Sequence, residues 1–471
     1  MSSTEQWDAL DWKTIHFHVR KIQKRIAEAA LNGDWKRVSR LQKLVFASWD
    51  CRVIAVHRVT CKQNIRTPGI DGRFWPTDAE RFAAVDKLRD YQHYSPMPFK
   101  RTYVPKEHDK NKKRPLSVPV IFDRAMQGLI LIGVDPVIEC TAGIHDYGFR
   151  MYRSSQDTIR DVRENFGFTT GHPYVLKTDI HQCFDHVSHD WILEHSPMNK
   201  KLLRKILKCG YVHDGVYYPM EEGVPQGGVL SPALTNLVLN GFGKTVEKYQ
   251  DSVRFVRFVD DFLFSGTSVS VLESVLAELK EFLAERGLEL SEAKTSIRHI
   301  AEGVDFIGWH FQRYADRLEI TPTEQSTAEL KKRIADTIFQ GINWTARKLI
   351  LKLNGYIRGW GMYHVYLCTA DPFTALDDYV QDLLWQWACT RHPKHNPKWI
   401  YRHYWHYQES TGKREFSSGD AVLFHFVDQK VRIKNDFDLS KNPYLELSYF
   451  RNRQKRYVQT ESCTVLKYRR W

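Results

Sequence analysis

Residues 255–264 read Phe-Val-Arg-Phe-Val-Asp-Asp-Phe-Leu-Phe. Apolar residues on both sides of two adjacent aspartates are typical of a β-hairpin with Asp260 and Asp261 at its tip. Upstream, residues 174–180 follow a turn-like Gly-His-Pro and predict a strand that carries Asp179 at its end. The sequence therefore predicts three carboxylates at the ends of neighbouring strands, although Asp179 precedes Asp260 by 81 positions (260 − 179).

Carboxylates placed in this way suit nucleotidyl transfer, in which two divalent cations act on the attacking hydroxyl and on the triphosphate. Mg²⁺ takes one or two carboxylates together with water and phosphate oxygens. Asp179, Asp260 and Asp261 offer the carboxylates that such a site requires, with two Mg²⁺ ions, or Mn²⁺ in their place, as the candidate cofactors. The Asp-Asp dipeptide alone is weak evidence, because aspartate is an ordinary turn residue and a second dipeptide, Asp377-Asp378, lies on a predicted helix without expected chemistry.

Helical patterns surround this α/β centre and predict an α+β fold. Residues 12–60 carry apolar residues at helical spacing, with a break at Asn32-Gly33. Residues 271–283 predict a helix that packs on the sheet and ends at Gly287. Further helices are predicted over residues 330–342, 345–364 and 373–388, whereas the stretch from about residue 396 is aromatic, basic and irregular.

The charge distribution indicates a polyanionic partner. The chain of 471 residues has a formal net charge of +13 and a pI of about 9.2. Residues 391–471 hold 17 Lys and Arg against 8 Asp and Glu, a net charge of +9, so the other 390 residues carry +4. A second cluster, residues 99–114, has seven basic and two acidic residues. Such clustering favours a nucleic-acid track over a generally basic surface, which stays open on charge alone.

Cysteine spacing and hydropathy limit the cellular compartments in which we expect the protein. None of the eight cysteines forms a pair with the spacing of a zinc knuckle. The N-terminus does not have the pattern of a signal peptide, and the most apolar stretch, residues 128–138, is interrupted by Asp135 and Pro136. We expect a cytoplasmic protein with free thiols, in a prokaryote near the nucleoid, without a membrane partner.

Three blocks in this order resemble the palm of a reverse transcriptase: residues 177–185 (KTDIHQCFD), 223–236 (GVPQGGVLSPALTN) and 255–264 (FVRFVDDFLF). The wider resemblance, over about residues 7–445, is to the reverse transcriptase–maturase proteins encoded by group II introns. It also includes Arg114-Pro115-Leu116, Asp123-Arg124-Ala125-Met126-Gln127, Tyr147-Gly148-Phe149-Arg150, Ile357-Arg358-Gly359-Trp360 and Asn442-Pro443-Tyr444.

The resemblance implies a right-hand polymerase in four parts. Residues 1–95 form a helical N-terminal extension and the start of the fingers, and residues 96–310 form the fingers and palm. Residues 311–392 form a helical thumb and maturase domain. Residues 393–471 form a small basic, aromatic C-terminal region that binds nucleic acid.

The resemblance also assigns the residues around the reacting atoms. It implies that Asp179, Asp260 and Asp261 bind the metals with help from the main-chain carbonyl of Ile180. Phe184 corresponds to an aromatic steric gate, where a ring beneath the sugar would exclude a 2′-hydroxyl and select deoxynucleotides. An ordinary core phenylalanine is the alternative for Phe184.

Other residues correspond to groups that hold the substrates. Gln226, in the Pro-Gln-Gly-Gly turn, lies beside the incoming nucleotide, and Lys106 and Arg114 grip the triphosphate. Lys294 corresponds to the lysine near the leaving pyrophosphate and is a candidate general acid. Residues 306–309 resemble the primer grip, although their aromatic residues also suit a core.

The function implied is that of an RNA-directed DNA polymerase that extends a DNA or RNA primer with dNTPs on an RNA or DNA template. Its cellular role is either intron splicing and mobility, with group II intron RNA as a partner, or a domesticated role in DNA repair or phage defence. Alternatives are a maturase that binds RNA as a splicing cofactor, and an RNA-dependent RNA polymerase, against which Phe184 argues.

Two departures from the family pattern matter. Phe258-Val259 replaces the usual Tyr-Ala before the paired aspartates, which removes a hydroxyl worth about 1 kcal/mol and adds bulk near the primer terminus. We expect activity to survive with a shifted substrate preference. The Cys pairs of an HNH endonuclease are missing, so second-strand DNA cleavage by these residues is not expected.

Overall fold

The computed structural model describes residues 6–61, 67–105, 113–168, 170–315, 317–364, 371–429, 438 and 440–458, with side chains up to residue 453. Within these residues, helices and strands are mixed along the chain, and the predicted α+β fold class is confirmed. No described helix is long and apolar enough to span a membrane. The four domains proposed from the sequence, with their three boundaries, stay a prediction.

Four helices open the chain: α1 Trp12–Leu31, α2 Trp35–Ala47, α3 Trp49–Thr60 and α4 Asp78–Lys87. The predicted break after the first helix is confirmed, because Asn32 is the C-cap of α1 and Asp34 accepts a hydrogen bond at the N-terminus of α2. The following apolar pattern is divided into two helices at Ser48, whose side chain accepts from Cys51 N. Helices α1 to α3 pack on α5 (Ile121–Thr141).

A four-stranded sheet follows the N-terminal helices. Strands β1 (Phe99–Pro105) and β2 (Lys113–Val118) are antiparallel, and they join β5 (Tyr211–His213) and β6 (Val216–Tyr218) in the order β2-β1-β5-β6. This sheet carries much of the basic cluster predicted near residue 100.

The central sheet has five strands in the order β3-β7-β8-β4-β9. Its strands are β3 Asp146–Tyr147, β4 Tyr174–Asp179, β7 Val253–Phe258, β8 Asp261–Gly266 and β9 Ser296–His299. Strand β8 pairs antiparallel with both β7 and β4. The helices between these strands are α6 Ser155–Asn165, α7 Cys183–His186, α8 His189–His195, α9 Lys200–Leu207, α10 Ser231–Leu239, α11 Phe242–Val246 and α12 Val269–Ala284.

Alternation along the central strands buries both faces of this sheet. Leu176 and Phe262 pack in the larger core with the N-terminal helices, whereas Val175 and Leu263 pack in a second core with α6. Because both faces are covered, the open edge at the ends of β4, β7 and β8 is where the strand-end side chains meet.

The rest of the chain forms two small sheets and a helical unit. Strands β10 Val304–Phe306, β11 Trp309–Tyr314 and β12 Arg317–Pro322 form the first sheet. The predicted helices correspond to α13 Glu324–Gln340, α14 Ala346–Tyr363 and α15 Asp371–Arg391. They share a third core with α16 Pro397–Tyr404 and with the sheet of β13 Trp405–Gln408, β14 Lys413–Ser418 and β15 Ala421–Val422, and α17 Leu447–Val458 follows.

The prediction that the chain is irregular from about residue 396 is wrong. Asn396 accepts from Trp399 N with Pro397 at the first helical position, which is a strong helix start. Tyr404, Trp405 and Phe416 are buried together, so the aromatic residues stabilise a helix and a hairpin.

Candidate active site

The hairpin predicted from the sequence is present, with its turn one residue earlier than predicted, at Val259-Asp260, and it brings the three aspartates together. Strand β7 ends at Phe258, Val259 and Asp260 form the turn, and Asp261 opens β8. Asp261 lies directly opposite Asp179, the last residue of β4, in the antiparallel register. A main-chain hydrogen bond also joins the end of β4 to the hairpin turn, since Ile180 N donates to the carbonyl oxygen of Asp260 at 3.3 Å.

The hairpin turn has an unusual backbone. Val259 has a φ of 60°, which is rare for a β-branched residue and must be held by its surroundings. Its amide donates to the carbonyl oxygen of Tyr147 at 3.3 Å. Gly148 (φ of 80°) allows this approach, since a Cβ there would lie 2.4 Å from a methyl carbon of Val259.

Arg257 stabilises the hairpin turn, and the sequence analysis did not identify it as part of the site. Its fully buried guanidinium donates to Asp146 Oδ1 at 2.9 Å, to the carbonyl oxygen of Val259 at 3.2 Å and to Asn240 Oδ1 at 3.1 Å. A signal was present in the sequence. Arg254 and Arg257 are three residues apart on one strand, so one of them must point towards a covered face.

The aspartate cluster is rich in like charge. Burial raises the pKa of Asp260 to about 6, and the neighbouring charge of Asp179 adds to this effect. Burial also raises the pKa of Asp261 to about 7, with contributions from Asp179 and Asp260. Carboxylates that repel each other in a partly desolvated place are stabilised by a bound cation.

Two lysines face this cluster. The Lys294 ammonium donates to Asp179 Oδ2. Burial lowers the pKa of Lys294, but the hydrogen bond to Asp179 and the nearby carboxylates outweigh burial and raise the pKa overall. Lys177, which sequence reasoning did not assign to the site, lies two positions before Asp179 on the same face of β4, and its charge lowers the pKa of Asp261.

The donor set suits a hard divalent cation, although a finished cage is not present. No group of three or more His, Cys, Asp or Glu side chains in the described parts of the chain is arranged to hold a metal. Mg²⁺ does not need one, because it keeps several waters and binds through one or two carboxylates plus substrate phosphates. The carboxylates of Asp179, Asp260 and Asp261 offer oxygen ligands. Asp179 already pairs with one cation, the Lys294 ammonium.

Phe184 lies in helix α7, five positions after Asp179, and is half-buried. Its ring meets the ring of Phe149 edge to face, with centroids 6.4 Å apart. The Gly-Val-Pro-Gln-Gly-Gly block packs against its backbone, since Val224 N donates to Phe184 O at 2.7 Å. Gly223 (φ of 79°) is required there, because a Cβ would lie 2.8 Å from the Phe184 carbonyl oxygen.

The same block connects the aspartates to the basic sheet. The carbonyl oxygen of Gln226 accepts from Ser117 N in β2 at 2.7 Å, and a Cβ on Gly227 would lie 2.5 Å from the Ser117 carbonyl oxygen. The positive charge of Arg114, which is exposed on β2, opposes the rise in the pKa of Asp260, so Arg114 is within electrostatic range of this carboxylate. Lys106 lies outside the described residues.

Of the segment predicted as a primer grip, two residues are core residues. Phe306 and Trp309 are fully buried, as the alternative for this segment stated. Ile307 (φ of 42°) and Gly308 form the turn between β10 and β11. The Tyr363 hydroxyl donates to the Ile307 carbonyl oxygen at 2.5 Å, so this turn contacts helix α14.

The C-terminal aromatic residues divide in the same way. Tyr404 and Trp405 are buried, whereas Tyr401 and Tyr407 are exposed. Trp399 is half-buried and stacks on His395 with ring centroids 3.7 Å apart. Both interpretations of this segment, an aromatic cluster and a nucleic-acid surface, therefore have residues that fit them.

Three protein-family models match the chain. "Reverse transcriptase (RNA-dependent DNA polymerase)" matches residues 104–311, which include every described candidate site residue. "N-terminal domain of reverse transcriptase" matches residues 7–88, and "Group II intron, maturase-specific domain" matches residues 327–405. A reverse transcriptase domain implies a polymerase that depends on divalent metal and that binds nucleic acid.

Curated relatives agree with these matches. Protein YkfC of Escherichia coli (strain K12) is 29% identical over 348 residues, which cover 64% of this chain and 90% of that protein. Group II intron-encoded protein LtrA of Lactococcus lactis subsp. cremoris is 26% identical over 318 residues, and the match spans about half of each chain (53% and 51%). Maturase-like protein 1 of Euglena gracilis is 26% identical, with 74% of each chain covered.

A solved structure of telomerase from Candida albicans, in complex with a fragment of telomeric RNA, also matches. Its TM-score is 0.40 at 13% sequence identity, with 66% of this chain and 65% of that chain covered.

Proposed function

This chain belongs to the RNA-directed DNA polymerases of the group II intron type, and on that premise we propose that it extends a primer on an RNA template through the Asp179, Asp260 and Asp261 carboxylates. The observation that carries the proposal is the placement of these residues. Two strand ends and one hairpin turn bring three carboxylates to one sheet edge, where Lys294 pairs with Asp179 and the exposed Arg114 is within electrostatic range of Asp260.

Two Mg²⁺ ions, or Mn²⁺ in their place, would be held by Asp179, Asp260 and Asp261 with the carbonyl oxygen of Ile180, and would supply activation of the 3′-hydroxyl and charge neutralisation of the triphosphate. Raised pKa values support this use of the site, since they mark carboxylates without enough positive charge around them. The cluster would gain stability from cations that arrive with the nucleotide.

The surrounding side chains would bind and orient the substrates. Arg114 and Lys106 would take the triphosphate, because a guanidinium forms paired hydrogen bonds with phosphate oxygens. Gln226, whose backbone is joined to β2, would lie beside the incoming nucleotide. Phe184, held between Phe149 and the Gly223-Val224 backbone, would present its ring to the sugar and exclude a 2′-hydroxyl.

Lys294 would hold a proton near the leaving pyrophosphate. Its raised pKa keeps the ammonium charged at neutral pH, and its contact with Asp179 shows the reach of the side chain to the site. When phosphate oxygens and cations enter, the ammonium would exchange Asp179 for the departing oxygen and donate the proton as a general acid.

Primer extension tests this proposal. Purified protein with an RNA template, a DNA primer, dNTPs and Mg²⁺ is expected to extend the primer, and EDTA is expected to stop the reaction. Lys294→Met, which has a similar length and no proton to donate, should lower kcat by about 10²–10⁴-fold with little change in KM. Extension by the unchanged protein on RNA and DNA templates defines the template class, and no extension with either would contradict the proposal.

A second function, in which the chain binds group II intron RNA as a splicing cofactor, is favoured by the maturase-specific match over residues 327–405. Basic side chains on α13 and α14 support it, among them Lys331, Lys332, Lys348 and Lys352. Splicing of an added intron RNA by the Asp260→Asn variant, which cannot extend a primer, separates the two functions. Splicing without polymerase activity assigns the maturase role, and absence of both splicing and RNA binding removes it.

A further inference from the structure

The last described residues return to the centre of the molecule. Residues 442–453, named here the C-terminal strap, follow the helical unit in the chain but pack on helix α5 and on the loop after β3. Tyr444 is buried, and its hydroxyl donates to the Asp135 carboxylate in α5. Asn442 Nδ2 donates to Cys140 Sγ of the same helix at 3.5 Å. The beginning of the strap is therefore anchored on α5.

The end of the strap is anchored on residues 147–153, named here the aromatic loop. Phe450, 1% exposed, stacks on Tyr152 with ring centroids 5.2 Å apart at an angle of 29°. Arg453 Nη1 donates to the Tyr152 carbonyl oxygen at 3.1 Å, and Nη2 pairs with the Asp157 carboxylate. The same Asp157 side chain closes the capping box of α6 through its other oxygen.

The aromatic loop depends on such contacts, because its backbone is strained. Phe149 and Tyr152 both have positive φ values, 53° and 63°. Non-glycine residues in that region cost on the order of 1 kcal/mol or more each and persist only where neighbours hold them. Arg150 fixes the middle of the loop through paired hydrogen bonds to Glu139 at 2.6 and 2.9 Å. The strap holds the Tyr152 end.

The other side of the aromatic loop touches the candidate active site. The Phe149 ring packs edge to face on Phe184, and Gly148 lies against Val259 of the hairpin turn between β7 and β8. The Tyr147 carbonyl oxygen accepts from Val259 N at 3.3 Å. A continuous set of contacts thus runs from Phe450 and Arg453, through the aromatic loop, to Phe184.

We propose that Phe450 and Arg453 of the C-terminal strap are positioning residues for deoxynucleotide selection, and that they act by holding the aromatic loop against Phe184. The inference rests on the proposed function, in which Phe184 excludes ribonucleotides. Without the strap, Tyr152 and Phe149 leave their strained conformations and the Phe184 ring gains freedom to move away from the sugar. A small displacement of a group at the reacting centre changes rates by large factors.

The experiment compares Arg453→Ala with Arg451→Ala, an exposed residue of the same helix, so that both variants lose one positive charge. The measured quantity is the ratio of kcat/KM for dCTP to that for CTP in primer extension. Arg453→Ala is expected to lower the ratio by about tenfold, Arg453→Lys to restore part of it, and Arg451→Ala to leave it unchanged. In a Phe184→Ala background, Arg453→Ala is expected to have no further effect on the ratio.

A ratio unchanged in Arg453→Ala and in Phe450→Ala would overturn the inference, and so would an equal loss of dCTP and CTP incorporation in both. Hydrogen exchange over residues 147–153 provides a readout apart from activity. The Arg453→Ala variant should lose protection there, whereas unchanged protection contradicts the inference even for a variant with altered kinetics. Extension by the unchanged protein decides the proposed function separately, because the strap variants bear only on the ratio and on loop protection.

Discussion

The chain contains two Asp-Asp dipeptides in opposite surroundings. Asp260-Asp261 lies at the hairpin turn, where the neighbour that contributes most after burial is another carboxylate, Asp179. Asp377 of the second dipeptide, in α15, accepts hydrogen bonds from Phe426 N at 2.8 Å and Val427 N at 3.1 Å. Asp260 and Asp261 carry negative charge that the neighbouring side chains do not fully balance, whereas the Asp377 carboxylate is hydrogen-bonded within the protein.

His425 completes the second cluster. Its Nδ1 lies 3.6 Å from Asp377 Oδ1, and its Nε2 lies within hydrogen-bond distance of Glu415 Oε2. Asp377 raises the pKa of His425 to about 9, against the effect of burial, and Glu415 contributes further. Comparison of the two clusters indicates that an Asp-Asp dipeptide belongs to a functional site when its negative charge is not balanced by other groups of the protein.

The largest effect is expected at the unbalanced pair. Asp260→Asn keeps the size of the side chain and removes one charged oxygen ligand, so primer extension should fall by about 10³-fold or more. The same change should raise the free energy of unfolding by about 1–2 kcal/mol in EDTA, because a repelled, partly buried charge disappears. Rapid-quench extension and denaturant unfolding measure the two quantities. Loss of activity together with loss of stability would mean that Asp260 is a structural residue.

At Asp377, the expected changes are the reverse of those at Asp260: stability should fall while activity is retained. Asp377→Asn leaves one oxygen to accept from two backbone amides and removes one of the two carboxylate partners of His425, so the free energy of unfolding should fall by about 2–3 kcal/mol. Primer extension at 25 °C should stay within a few-fold of the unchanged protein. Asp378→Asn, at the exposed neighbouring position, is the matched control and should change stability by less than about 0.5 kcal/mol.

The histidine gives the second cluster a pH dependence. Since folding raises the pKa of His425 from about 6.5 to about 9, its contribution is complete below the unfolded pKa and is lost as pH rises through about 9. The stability difference between the unchanged protein and His425→Gln should be about 2–3 kcal/mol at pH 6 and close to zero at pH 10. Urea unfolding at both pH values measures it. A difference that grows with pH would contradict the ion-pair account.

The smallest effect is expected beside the turn. Phe258→Tyr adds a hydroxyl to a half-buried ring next to the aspartates, and one hydrogen bond is worth about 1 kcal/mol. Extension rates should therefore change by less than about tenfold. Steady-state extension with each of the four dNTPs measures this change. A change of 10²-fold or more would show that the ring at this position contacts the substrates directly.

The hairpin and its aspartates could be predicted because their determinants are local. Alternation of apolar residues defines β7 and β8. Because only two residues lie between these strands, the positions of Asp260 and Asp261 follow without information from the rest of the chain. The opposite strand with Asp179 follows from its own apolar run and the turn before it.

The supports of the site could not be predicted because their partners are distant. Arg257 binds Asp146 over 111 positions, and Arg453 reaches Asp157 over 296. The spacing of apolar residues within one stretch of sequence carries no information about contacts between residues so far apart in the chain. The C-terminal sheet was missed for another reason, since β13 has four residues and is too short to give a clear alternation.

The central claim is that Asp179, Asp260 and Asp261 bind the divalent ions together. The most direct measurement is anomalous diffraction from crystals with Mn²⁺, a primer–template whose primer lacks the 3′-hydroxyl, and a matching dNTP. Two Mn²⁺ peaks are expected within about 2.0–2.3 Å of oxygen atoms from these aspartates and the triphosphate, with Lys294 released from Asp179. Ions bound elsewhere, or a Lys294–Asp179 pair that persists beneath a bound dNTP, would contradict it.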